Sequence, residues 1–246
     1  MTTEWNAASY DRVADPQTGW GVAVLDRLVL RGDERVLDAG CGSGRVTERL
    51  AARLPRGRIV ALDASAAMLD EARRRLAPFG DRIEFVQADL ARPLRIAGAV
   101  DHALSTATFH WVLDHDALFH NLGAVIRPGG TLVAQCGGAG NIASLKQVLA
   151  QVGDGWQGEY VFATPEETAA RLAAAGFVDV ETWLSEEPTR FEPGEPFEAF
   201  LETVCLRQQL ERLPEGERRA FVREVASRMP GPVLDYVRLN IVARRG

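Results

Sequence analysis

Three aspartates, Asp38, Asp63 and Asp89, close the short apolar runs "RVLDAG", "RIVALDA" and "IEFVQAD", and the first is followed at once by Gly40, Gly42 and Gly44. Glycines at that spacing let a backbone come up against a nucleotide, and the helix that follows offers free N–H groups at its start. The carboxylate decides which nucleotide. A pyrophosphate about 4 Å from Asp38 would be repelled by about 4 kcal/mol at an effective dielectric of 20. The third glycine also comes one residue earlier than in the GxGxxG dinucleotide fingerprint. S-adenosylmethionine reverses the sign, because its α-amino group and sulfonium are cationic while its adenosine still needs close backbone approach.

The other two acids fall where adenosine needs them. Asp63 lies 19 residues past Gly44, a spacing that suits a carboxylate accepting both ribose hydroxyls. Asp89, in "VQADL", can accept from the exocyclic amine of adenine while the next backbone amide reaches a ring nitrogen. Met68, one turn into the following helix, can lay its polarisable sulfur on the adenine face. Each has an ordinary explanation too: an acid after a strand caps the next helix, a methionine fills a core, and a glycine makes a turn. Three acids closing three successive strands are harder to explain as separate caps.

Past the fourth apolar run comes "FHW", residues 109–111. His110 can orient a carboxylate by hydrogen bonding or take a proton from a less acidic acceptor, and a structural role stays open beside both. Trp111 and Trp20 are candidate walls of an acceptor pocket or, equally, core residues. Arg207, Arg238 and Arg244 are candidate partners for an acidic acceptor, each weighed against a place on a solvated face. His102, His115 and His120 have no metal-ligand spacing. Cys41, Cys136 and Cys205 lie far apart, which argues against both zinc and a disulfide framework. No metal is expected.

The elements that must hold these residues alternate regularly. "RVLDAG", "RIVALDA", "IEFVQAD", "VDHALSTA" and "TLVAQCG" read as buried strands, with helices between them over Arg45 to Arg53, Ala66 to Leu76 and Asp116 to Ile126. That order predicts an α/β fold with a doubly wound parallel sheet and ligands beyond the carboxyl ends of the strands. A helix is expected from about Ile142 to Val152. "TPEETAARLAAAGF" carries a full set of helix signals: Thr164 as N-cap, Pro165 next, Glu167 completing a capping box and Gly176 past the end. "VDVETWLSE" reads as a sixth strand and "LDYVRLNIVARR" as a seventh. The intervening 186–232, with one long amphipathic stretch from Pro196 to Leu213, reads as a helical cap over the site, or as a segment whose Phe197, Phe200, Leu201 and Val204 pack on the sheet's edge. The whole 1–246 is read as one domain: a core of about 30–184, a closing strand of about 233–244, an N-terminal helical lid over 5–30 and the insert.

Gross composition narrows the partners. The chain has 246 residues, 46% of them hydrophobic, and a net charge of −6 with arginines scattered along it. No basic footprint for nucleic acid is present, and no apolar run approaches the roughly 18 residues of a membrane helix. No secretory signal pattern opens the chain, so a cytoplasmic address is expected. A small-molecule acceptor is the partner that remains.

"LDAGCGSG", "ALDASAAML", "VQADL" and "IRPGGTLV" together resemble the motifs of class I S-adenosylmethionine-dependent methyltransferases over residues 5 to about 184. Within that family, "WNAASYDRVA", "STATFHWVLDH" and "PGGTLVAQ" are most similar to the trans-aconitate and related small-carboxylate branch. The resemblance implies a Rossmann-like, mostly parallel seven-stranded sheet whose last strand runs antiparallel. It implies a cofactor site in which Asp38, Gly40, Cys41, Gly42 and Gly44 face the methionine part. Asp63 and Ala64 then hold ribose, Ala88, Asp89 and Leu90 frame adenine with Met68, and Thr106 lies near the methionine moiety. Tyr10 would close over the cofactor. The implied reaction is O-methylation of a small carboxylic acid. N-, C- or phenolic O-methylation with His110 as base remains the alternative, and a non-catalytic cofactor-binding module is a third reading. The insert does not follow the family pattern.

Overall fold

The computed structural model describes residues 15–246. An opening helix, α1 (Asp15–Leu25), precedes a regular alternation: β1 (Arg35–Ala39), α2 (Arg45–Arg53), β2 (Arg58–Asp63), α3 (Ala66–Leu76), β3 (Ile83–Gln87), β4 (Val100–Thr106), α4 (His115–Val125) and β5 (Ile126–Gly137). Then follow α5 (Ala143–Leu149), α6 (Pro165–Ala174), β6 (Phe177–Glu186) and β7 (Thr189–Arg190). The chain closes with α7 (Glu195–Phe200), α8 (Arg207–Glu211), α9 (Glu215–Arg228), β8 (Val233–Leu234) and β9 (Val237–Arg245). Seven strands make one sheet in the order β3-β2-β1-β4-β5-β9-β6, and β7 pairs with β8 in a separate ribbon. Strands β1 to β5 are parallel, while β9 is antiparallel to both of its neighbours.

The continuous apolar runs of β1 and β2 exist because both faces of the sheet are covered, so successive residues feed opposite cores. Val36, Ile59 and Ala61 pack with Leu50 of α2, Leu69 of α3 and Val24 of α1. Leu37, Val60 and Leu62 pack on the other face with Leu118 and Phe119 of α4 and Leu172 of α6. Asp38 has the parity of Val36 and therefore points under α2. Helix α3 starts on Ser65, whose hydroxyl accepts from the Met68 N–H at 3.3 Å, and ends on Arg73, Arg74 and Arg75, which suit its dipole. The entry to β5 is bent at "RPGG", where a Cβ on Gly130 would meet the Asp101 carbonyl at 2.3 Å.

Helix α5 is shorter than the Ile142–Val152 span, because Ile142 itself takes a left-handed conformation (φ 50°) ahead of it and the last turn gives way before Gly153. The 186–232 segment has a core of its own. Phe197, Phe200, Leu201 and Leu206 pack with Leu145 and Leu149 of α5, Val222 and Val225 of α9, and Leu234 and Tyr236 at the approach to β9. Its amphipathic stretch is helical in three pieces, with a π turn over Leu201–Cys205 between α7 and α8. Among the described residues no helix is long and apolar enough to cross a membrane.

Helix α6 begins with both halves of the capping box: the Thr164 hydroxyl accepts from Glu167 N–H at 3.2 Å, and the Glu167 carboxylate accepts from Thr164 N–H at 3.1 Å. Gly176 follows its end with φ 83°. Thr164→Ala is expected to cost about 1 kcal/mol, read as a melting temperature about 2–4 °C lower for a domain of this size.

Candidate functional site

The carboxyl edge of the sheet carries two compartments. The first is built on the turn from β1 to α2. Asp38 is buried, and its Oδ2 accepts from the Thr47 hydroxyl at 2.7 Å, one turn into α2. Its Oδ1 is buried and has no hydrogen-bond partner among the described residues. Burial pushes the Asp38 carboxyl up to about 7, with the Thr47 hydrogen bond opposing the shift and the nearby Asp63 adding to it. A carboxylate in that condition is matched by a cation that donates to the open oxygen.

The glycines of the turn serve different ends. Gly44 caps α2 with φ 83°, and a Cβ there would press on Leu76 and Ala72 of α3 at 3.1–3.3 Å, so it sets helix packing. Gly40 is approached by the Thr108 side chain. Gly42, with φ 53°, faces open space, and its N–H donates to Asp63 Oδ2 at 2.8 Å. This is the glycine whose missing side chain leaves a cradle. Cys41 lies buried in the same turn, its thiol pushed well above its ordinary pKa by burial, which makes it inert filling.

Asp63, at the end of β2, uses Oδ1 for the Ser65 N–H at 2.9 Å and Oδ2 for Gly42. Burial raises its pKa, and the backbone hydrogen bonds oppose the rise. These backbone donors, with Ala64 as a third, leave part of a carboxylate's roughly four-site acceptor capacity unused. Asp89, past β3, is exposed and accepts from Ala91 N–H at 2.9 Å through one oxygen, which leaves the other open. Ala64 and Ala88 are half-buried beside these acids, Leu90 is buried with its carbonyl held by Asn121, and Met68 is buried on α3. Asp38, Asp63 and Asp89, with the space over Gly42, thus lie together at the carboxyl ends of three adjacent strands. Thr106, half-buried at the end of β4, turns its side chain toward Gly21 of α1.

The second compartment is a small pocket, partly open to solvent, beyond the ends of β4 and β5. His110, in the single turn Phe109–Trp111, is buried in its wall. Its Nδ1 accepts from the Gly137 N–H at 3.2 Å. A backbone N–H only donates, so Nδ1 carries no proton and the neutral ring holds its hydrogen on Nε2. Burial depresses the pKa of this imidazole well below its ordinary value, and the Arg238 charge depresses it further. Asn141 lines the same pocket and spends its carbonyl oxygen on Val237 N–H at 3.0 Å, which leaves its NH2 end for the pocket.

Arg238 supplies the charge. It is buried, lines the pocket, and lies over the Trp20 ring, 4.7 Å from its centroid, and over the Tyr236 ring at 6.0 Å. Behind it, the Gln135 amide donates to Asn240 Oδ1 at 2.9 Å and the Asn240 amide donates to Ser185 at 3.0 Å, tying β5, β9 and β6 together. Trp111 lines the pocket; Trp20 stands behind Arg238, edge-on to Tyr236 at 5.1 Å, and supports it. Arg207 is drawn to Glu211 and Arg244 to Asp179, and of the three only Arg238 lines this pocket. His102 and His115 hold backbone groups, and His120 is exposed. Tyr10 lies outside the described residues. Sequence reasoning passed over Asn141, Tyr160, Phe162 and Tyr236. The signal for them was period-two spacing, Tyr160 with Phe162 and Tyr236 with Arg238, which puts each pair on one face of extended chain.

Residues 36–130 match the family of methyltransferase domains. The chain is 31% identical to trans-aconitate 2-methyltransferase of Paracidovorax citrulli and 32% identical to that of Klebsiella pneumoniae, each alignment covering 98% of both chains. Its fold is similar to that of phosphoethanolamine N-methyltransferase 2 of Haemonchus contortus, solved with S-adenosylhomocysteine (TM-score 0.67, 19% identity, 97% of this chain and 56% of that one). It is also similar to geranyl diphosphate C-methyltransferase of Streptomyces coelicolor (TM-score 0.58, 20% identity, 94% and 79%).

Because the folded protein holds the Asp38 proton up to about pH 7 and an unfolded aspartate releases it near 3.9, the folded state binds more protons in between and loses stability as pH rises across that window. Above about 7 the loss is complete, and it amounts to roughly 4 kcal/mol at most. Ligand-free Asp38→Asn should therefore show a shallower fall in melting temperature from pH 5 to 7.5 than the parent. Parallel curves would contradict this.

Proposed function

The chain belongs to the class I S-adenosylmethionine-dependent methyltransferases, within the branch that contains the trans-aconitate 2-methyltransferases, and on that premise we propose that it methylates an oxygen of a small carboxylic acid. The observation that carries this is the His110 tautomer. With Nδ1 accepting from Gly137 and the proton on Nε2, the ring offers the pocket a donor and no basic lone pair. Amines and phenols need a base to become nucleophiles at neutral pH, whereas a carboxylate is already ionised. Arg238, His110 Nε2–H and the Asn141 amide are all donors, the complement of a carboxylate.

The first compartment suits the cofactor. Asp38 Oδ1 would take the α-amino group, Asp63 the ribose hydroxyls and Asp89 the adenine amine, with Ala88, Leu90 and Met68 around the ring and Gly42 giving room for close approach. When bound, S-adenosylmethionine supplies a methyl group made electrophilic by its sulfonium. The chain's own residues then align the attacking oxygen, balance its charge until transfer and keep water out. His110 orients the acid through Nε2–H and holds its proton throughout.

The test uses S-adenosylmethionine labelled on the methyl, incubated with the protein and a panel of acids, phenols and amines, followed by mild alkali. Methyl esters release volatile labelled methanol. Label that stays in an alkali-stable product would move the acceptor to nitrogen, carbon or a phenol. His110→Phe is expected to lower kcat/KM about 10–100-fold through loss of a hydrogen bond to a charged group, with the shape of the pH–rate profile from 6.5 to 9 unchanged. A loss that shrinks as pH rises would mark a base. Gly42→Ala, which meets no protein atom within 4 Å, should keep the fold at a cost of about 1 kcal/mol and weaken cofactor binding by about 10-fold or more in calorimetry. Affinity equal to the parent's would remove the cradle from the cofactor site.

A further inference from the structure

The wall of the acceptor pocket is a run of flat rings. Tyr160 stacks on Phe162 with planes 4° apart and centroids 5.3 Å apart, Trp111 packs against Tyr160 at 5.1 Å, and the His110 ring lies 5.1 Å from Trp111 and 5.9 Å from Phe162. The rest of the lining includes Ile142, Val204 and the Cys205 thiol, which burial pushes up to about 12 and so keeps neutral. Among the described residues that line it, the only charged group is Arg238. We propose that the acceptor is a monocarboxylic acid whose body is aromatic or a planar conjugated chain, a refinement that rests on the carboxylate reading of this same pocket.

Charge matching gives one half of the argument. One guanidinium, helped by the neutral donors of His110 and Asn141, meets one carboxylate. Every further carboxylate would give up water for a wall of rings and aliphatic side chains that, among the described residues, offers no second cation to face it, and a charge buried in that way is strongly disfavoured. Shape gives the other half. A flat, unsaturated body can lie against Tyr160 or meet its rim edge-on, gaining contact energy beyond the area it buries, whereas a flexible aliphatic body gains only area and gives up more freedom on binding.

The experiment compares kcat/KM for methyl transfer from labelled S-adenosylmethionine to cinnamate and benzoate with that to trans-aconitate, a tricarboxylate, and succinate, a dicarboxylate. The aromatic monoacids are expected to exceed both polyacids by ~10-fold or more. A polyacid that equals or exceeds them overturns this inference and leaves carboxyl methylation standing. Label that reaches no carboxylate overturns both. In Tyr160→Leu, the KM for cinnamate should rise ~10-fold with kcat little changed. A uniform fall in kcat for every acid would show that Tyr160 holds up the wall and does not contact the acceptor.

Discussion

A carboxylate buried with a single hydrogen bond from the described residues is the constraint around which the carboxyl end of β1 is organised. Asp38 sits near the end of β1 with one oxygen held by Thr47 and the other facing no partner among them. Such a group is costly to ionise where it stands, as its raised pKa records. It persists because the cores on both faces of β1 hold it in place. The stabilisation it withholds from the ligand-free fold is available to a cation that arrives there. Asp63 differs in kind. Burial raises its pKa as well, but backbone N–H groups, Gly42 and Ser65 among them, oppose the rise by stabilising its charged form.

The pocket beyond β4 and β5 follows the opposite logic, with the donors among its described residues fixed in advance. Gly137 determines the His110 tautomer, Val237 determines which end of Asn141 faces the pocket, and the chain of Gln135, Asn240 and Ser185 underpins Arg238. Backbone and buried amides thus hold the first contacts in one orientation, as alignment of two reactants requires. The division of labour is spatial as well. One compartment comes from β1 to β3, and the other from β4, β5, the segment around residue 160 and the start of β9.

The turn at the ends of β1 and β2 was legible in the sequence because its residues are local. Asp38, Gly40, Gly42, Gly44 and Asp63 fall within two strands and one turn, and the physical arguments for them need only short-range geometry. The strands and the capping box at Thr164 were legible for the same reason: period, caps and turn residues are nearest-neighbour signals. Arg238 was not distinguishable from Arg207 and Arg244, since all three stand in polar, arginine-bearing segments and only strand pairing buries the first. Tyr160 and Phe162 lie in a loop whose course depends on the Val161 N–H reaching the His110 carbonyl, a contact 51 positions apart in the chain. The tautomer of His110 depends on Gly137, and no local pattern records that partner.

Strand β9 follows β6 in the chain yet lies between β5 and β6 in the sheet. Because it runs antiparallel to β5, its first residues, including Arg238, meet the carboxyl ends of the parallel strands. Strand β6 has no strand partner other than β9. During synthesis β6 therefore waits, with its backbone groups solvated, until residues 237–245 have left the ribosome, although β1 to β5 can pair as they emerge. The β1 to β5 part of the sheet can thus form ahead of the pocket that Arg238 lines.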